Sequence, residues 1–135
     1  MVCIYCGNAT HVTNSRLQRK QNAVWRRRTC DACSATVTTT EKLELGSAII
    51  VTKGKRHEAF SRDKLFISIL DSLKHRKTAI ADASALTDTV ITRLYPLITD
   101  ASLMRDDIAQ QSQKVLQNFD KAGAVHYTAF HPVKH

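Results

Sequence analysis

The stretches Met1-Val2-Cys3-Ile4-Tyr5-Cys6-Gly7 and Arg26-Arg27-Arg28-Thr29-Cys30-Asp31-Ala32-Cys33 decide the fold, because they hold all four cysteines of the chain as two C-x-x-C pairs. Two residues between paired cysteines let one tight turn aim both sulfurs at a single ion, and four thiolates close one tetrahedral zinc shell. The span from Gly7 to Thr29 is a little longer than the roughly 15–20 residues typical between such pairs, and it must fold back to bring them together. Gly7 suits the positive φ that a metal-binding turn needs, while Ser34 holds the matching place after the second pair. Two disulfides or a redox dithiol are the competing readings. No secretory signal accompanies the cysteines, and a redox motif would use one pair, so Cys3, Cys6, Cys30 and Cys33 are assigned to a structural Zn2+ in a zinc ribbon.

The chain has 135 residues, yet its cysteines are confined to the first quarter, which predicts a small metal-stapled module joined to a larger one. About forty residues cannot hold a stable core unaided, so zinc would supply folding free energy there. The start lacks a basic region followed by an apolar one, and no later apolar stretch is long enough to span a bilayer. A soluble, cytoplasmic protein without membrane contact is expected. The formal charge of +8 and pI near 9.6 suggest a polyanionic partner. Arg16, Arg19, Lys20, Arg26, Arg27 and Arg28 all lie between the cysteine pairs, with no acidic residue among them. A solvated loop is the bland alternative, but the concentration of charge where zinc fixes the fold favours nucleic acid. On a strand, Arg26 and Arg28 point one way and Arg27 with Trp25 the other, with Trp25 covering the small core.

Further local signals place the elements. Thr10–Asn14 and Ala23–Thr29 read as strands around a polar turn at Gln18–Asn22, and Thr36–Thr40 as a last ribbon strand. Glu41–Ser47 leads out through Gly46, which puts the domains at 1–46 and 47–135. Ala48–Lys53 and Arg56–Phe60 read as strands of a hairpin with Gly54-Lys55 as a type II′ turn. Ser61 caps a helix expected to run to about Arg76 through Leu65, Phe66, Ile69, Leu70 and Leu73. Asp82 or Ser84 should cap the next, with Leu86, Val90, Ile91 and Leu94 buried before Pro96. A loop at Leu97–Ser102 precedes helices over Arg105–Phe119 and Lys121–Phe130. The class is α+β: a β ribbon, then a hairpin packed on a bundle of about four helices.

Lys53, Lys55, Arg56, His57, Glu58 and Lys64 form a second constellation. Its cations suit a polyphosphate, a capped helix N-terminus adds N–H donors, and Glu58 can accept from ribose hydroxyls or an amino group. A salt-bridged surface is the alternative. No G-x-x-x-x-G-K-[ST] loop and no Ser-His-Asp or Cys-His set is readable, so an enzyme is not expected. His11, His57 and His75 are read as surface residues.

Taken together, the order of motifs resembles the NrdR family of transcriptional repressors of ribonucleotide reductase genes. Cys3-Ile4-Tyr5-Cys6-Gly7, Asn14-Ser15-Arg16, Arg26–Cys33 and Thr38-Thr39-Thr40-Glu41 are similar to the family's zinc ribbon, and Ile50–Leu65 is similar to the opening of its ATP-cone. His126-Tyr127-Thr128-Ala129-Phe130-His131 matches the family's Arg-Phe-Ala-Ser-Val-Tyr type of ending loosely. The resemblance implies a repressor whose ribbon binds a double-stranded DNA operator through Arg16, Arg26, Arg27 and Arg28. It also implies ATP or dATP, held by Val51, Thr52, Lys53, Lys55, Arg56, Glu58 and Lys64, controlling a homo-oligomer and its DNA affinity. An adaptor that binds nucleotide but acts by protein contact, for example on the reductase, is the alternative.

Overall fold

The structure, a computed structural model, describes residues 1–134. It divides into two compact units, Met1–Leu43 and a second beginning at Glu44. The first is an antiparallel sheet of β1 (Thr10–Gln18), β2 (Ala23–Cys30) and β3 (Thr36–Lys42), with β2 central. The strands are longer than the β-branched runs alone suggest, because β1 pairs from Thr10↔Cys30 to Gln18↔Ala23, across an irregularity between Val12 and Asn14. Asn22, at φ 48°, ends the short 3-10 turn Arg19–Gln21 that joins them. The buried apolar residues of this unit are Cys3, Ala23 and Cys30. Two of those three carry sulfurs, so little apolar burial opposes chain entropy unless the sulfurs are tied together.

The second unit opens with a one-turn helix, α1 (Leu45–Ala48), in place of the expected irregular exit. Gly46 belongs there because a Cβ would meet the Phe60 carbonyl oxygen at 3.0 Å. Next come β4 (Ile50–Lys53) and β5 (Arg56–Ala59), paired Val51↔Glu58 and Lys53↔Arg56. Gly54 has φ 59° and Lys55 stays out of the positive region, as a type II′ turn requires.

The hairpin is part of a three-stranded sheet, which corrects the expectation of a hairpin alone. The third strand, β6 (Ser102–Met104), runs parallel to β4 with Val51 opposite Leu103. Its three residues are too few to show a strand period, and its partner lies half the unit away in sequence.

Four helices form the bundle: α2 (Arg62–Ser72), α3 (Ala79–Leu94), α4 (Arg105–Phe119) and α5 (Lys121–Phe130). The Ser61 hydroxyl accepts from the Lys64 N–H at 3.2 Å, so the expected cap forms. However, α2 stops at Ser72 rather than near Arg76. The Leu73 N–H turns back to the Leu70 carbonyl and the Arg76 N–H to that of Leu73, which frees Arg76 for side-chain pairing. Helix α3 starts after Thr78, ahead of the expected caps, and Asp82 instead accepts from the Thr78 hydroxyl and from Arg76 Nε. Leu86, Val90, Ile91 and Leu94 are buried as their spacing predicts, and α4 and α5 have the expected bounds. Phe119, the last residue of α4, is 41% exposed, with the Arg76 guanidinium 4.6 Å from its ring centroid. The core joins Val51 and Leu103 of the sheet to Ile69, Leu73, Leu94 and Leu116 of the helices.

Candidate functional site

The two C-x-x-C turns are built alike. The Gly7 N–H donates to the Cys3 carbonyl (2.9 Å) and the Ser34 N–H to that of Cys30 (2.8 Å). Gly7 at φ 74° and Ser34 at φ 59° both take the left-handed conformation, so Ser34 does without glycine what Gly7 does with it. The four Sγ atoms all lie within 4.8 Å of one another, with Cys3 to Cys33 at 3.6 Å and Cys6 to Cys30 at 3.5 Å. Zn–S bonds of about 2.3 Å in a tetrahedron put sulfurs about 3.8 Å apart, so the cluster fits structural Zn2+ and not a disulfide pair. The Asn8 amide, donating to Cys6 Sγ at 3.4 Å, leads the interactions that pull the Cys6 thiol down to about 6. At Cys33 the Ala35 backbone hydrogen bond favours the thiolate, yet the neighbouring Cys6 and Cys3 push the thiol up to about 12. Sulfurs this close do not all ionise unless a cation shares their charge.

Register divides the ribbon's cations between two faces. Arg16 stands opposite Trp25 and Asn14 opposite Arg27, so Arg16, Trp25 and Arg27 share one face, with the Arg16 guanidinium 5.9 Å from the half-buried indole. Arg26 opposite Ser15 and Arg28 opposite Val12 share the other. Arg26 pairs with Glu41 at 3.2 Å, and the Nε atoms of Arg26 and Arg28 are buried without a hydrogen-bond partner among the described residues. Arg19 and Lys20 sit in the 3-10 turn at the end of the β1–β2 hairpin. His11 lies 3.3 Å from Asp31 on the surface.

In the second unit a cavity of about 630 Å³ opens between the sheet and the helices. Val51, Lys53, Arg56, Glu58 and Lys64 line it, whereas Thr52 and Lys55 do not. The Thr52 hydroxyl instead donates to the Leu103 carbonyl (3.4 Å), tying β4 to β6, and Lys55 occupies the outer turn position. Glu58 is ion-paired with Lys64 at 2.5 Å, and that hydrogen bond holds the Glu58 carboxyl below its ordinary range. Phe60, Leu65 and Ile108 supply apolar wall, and the first turns of α2 and α4 both front the cavity.

The sequence reading missed Arg105, Tyr127 and His131, which complete the lining. Parallel pairing of Val51 with Leu103 brings Arg105, two residues on, to the hairpin cations. The His126–His131 match was the available signal for the other two. Burial first, then the Arg105 charge, holds the His131 imidazole below its usual pKa. The arrangement offers fixed cations, two helix N-termini and an apolar wall, features that suit an anionic ligand with a flat apolar part.

Among the described residues, no helix is long and apolar enough to cross a membrane. Residues 1–41 match the family model described as "Transcriptional repressor NrdR-like, N-terminal domain". A transcriptional repressor NrdR of Symbiobacterium thermophilum is 37% identical over 90 residues, covering 67% of this chain and 60% of the relative. One of Streptococcus thermophilus is 33% identical over 133 residues, 96% of this chain and 81% of the relative. Another, of Leptothrix cholodnii, is 30% identical over 131 residues, 96% and 86% respectively. Agreement at this level along nearly the whole length, with the four-sulfur cluster inside the matched ribbon, places the chain in the NrdR family of transcriptional repressors.

Proposed function

We propose that the first unit binds operator DNA of ribonucleotide reductase genes and that ATP or dATP in the cavity of the second selects the homo-oligomer able to do so. The observation that carries the sensing half is the cavity, where Lys53, Arg56, Lys64 and Arg105 meet beside Glu58 and an apolar wall. Four cations suit a polyphosphate, and the apolar wall suits a base. A nucleotide shifts an assembly only by its differential affinity for the two states. Loss of a 2′-hydroxyl is enough if it leaves a polar partner unpaired. For the ribbon, arginines on both faces suit a sheet inserted in a groove, where phosphates border both sides, better than a flat one-faced contact.

The test is a band shift on operator DNA with ATP, with dATP and with neither, read beside light scattering. Retention and particle mass should change together with the nucleotide; DNA binding and mass indifferent to all three conditions would remove the sensing half. Nucleotide-dependent mass without specific DNA retention would instead favour an adaptor acting on a protein.

A further inference from the structure

We propose that His131 makes the cavity's affinity for a nucleoside polyphosphate proton-dependent: its imidazole takes up a proton as the phosphates arrive, and binding strengthens as pH falls. The inference rests on the nucleotide reading above and adds its regulation.

His131 is built into place. Its N–H donates to the Tyr127 carbonyl at 2.8 Å, its own carbonyl accepts from Gln113 Nε2 at 3.1 Å, and its ring stacks on that of Tyr127 at 4.3 Å and 28°. Tyr127 is itself buried, so the imidazole is held on a rigid platform at the cavity wall. The charges acting on it are Arg105 from α4, Asp71 from α2 and His126 from its own helix. Across the cavity lie Lys53, Arg56, His57 and Glu58 of the hairpin and Lys64 of α2, with Asp106 beside Arg105.

Cations therefore outnumber carboxylates around the empty-handed imidazole, and burial together with Arg105 keeps it neutral to lower pH than a free histidine. A polyphosphate reverses that local field and favours the imidazolium, so the bound-state pKa lies above the free-state one. By linkage, affinity rises as pH falls through the bound-state value and levels off below the free-state value.

Isothermal titration of the full chain with ATP, in two buffers of different ionisation heat, reads both affinity and proton uptake. Between about pH 8 and about pH 6, affinity should rise roughly fivefold beyond the change due to ATP's own phosphate titration, with net proton uptake. His131→Gln should flatten that extra slope, while His57→Gln keeps it whatever happens to the affinity itself. Equal heats in the two buffers, or an extra slope that survives His131→Gln or vanishes with His57→Gln, would overturn the proposal. ATP binding with no extra pH dependence sinks this inference alone, whereas absence of ATP binding at every pH removes the nucleotide reading as well.

Discussion

Arg76 and Asp120, 44 residues apart, are joined by a hydrogen bond of 3.0 Å from Arg76 Nη1 to Asp120 Oδ2, which ties the α2–α3 turn to the α4–α5 joint. The same oxygen lies 3.0 Å from His75 Nε2, while Asp120 Oδ1 accepts from the Gly123 N–H at 2.8 Å and caps α5. Arg76 also donates from Nε to Asp82 at 2.9 Å, so one guanidinium links three helices. Asp120→Ala should destabilise the second unit by about 2 kcal/mol, through loss of a cap and of a shielded ion pair. Asp120→Asn, which can still cap, should cost less. Urea titrations compare them; equal midpoints for the two variants would show that the cap contributes nothing and that loss of the charge accounts for the whole effect.

Acid should act through the same carboxylate. The Gly123 N–H first, then His75 and Arg76, lower Asp120 to about 2. A depressed folded-state pKa contributes stability that is fully present above the ordinary carboxylate value and lost as pH falls from there toward about 2. The unaltered chain should therefore lose stability in that window, and Asp120→Asn should lose less, as thermal melts across the acid range would show.

Zinc removal should unfold one unit and spare the other. Trp25 is the single tryptophan and lies in the ribbon, so its fluorescence reports that unit alone. A strong chelator, or Cys30→Ser, should shift Trp25 emission to the red while helical circular dichroism stays largely intact. Unchanged emission after verified metal loss would mean that the ribbon stands without its ion.

Gly123 is required by a close approach of α5 to the end of α2. A Cβ there would meet Leu73 Cδ2 at 2.9 Å and the Ser72 carbonyl oxygen at 3.0 Å. The backbone oxygen cannot rotate away, so Gly123→Ala should cost about 1–3 kcal/mol despite alanine's better helix propensity. A denaturation midpoint at or above that of the unaltered chain would show that the helices separate without penalty.

Removing a cavity cation should weaken nucleotide binding. Arg105→Ala and Lys64→Ala should each raise the Kd for ATP about tenfold, while Lys55→Ala, outside the lining, should leave it within about twofold. Calorimetry distinguishes them; an equal effect at Lys55 would put the phosphates at the outer turn.

On the ribbon, Arg27→Ala should lower the slope of log affinity for DNA against log salt by about one. Arg26→Ala should do less, because Arg26 is already paired with Glu41. Identical slopes for both variants would show that the Arg26–Glu41 pair opens on DNA.

What the sequence determined by itself was whatever depends on spacing along the chain. The C-x-x-C turns, the Ser61 cap, the bounds of α4 and α5 and the buried stripe Leu86, Val90, Ile91 and Leu94 follow from turn chemistry and helical period, which act over a few residues. Only the tertiary structure decided where α2 ends, since Arg76 leaves the helix for Asp82 and Asp120, partners that no local pattern announces. It also decided that the irregularity between Val12 and Asn14 puts Arg16 beside Trp25, and that β6 lies parallel to β4. That pairing carries Arg105 to Lys53 and Lys64 and completes the cavity with Tyr127 and His131. The physical reason is that a cavity is made by contacts between distant segments, whose register is fixed by packing of the whole unit and not by any one stretch of it.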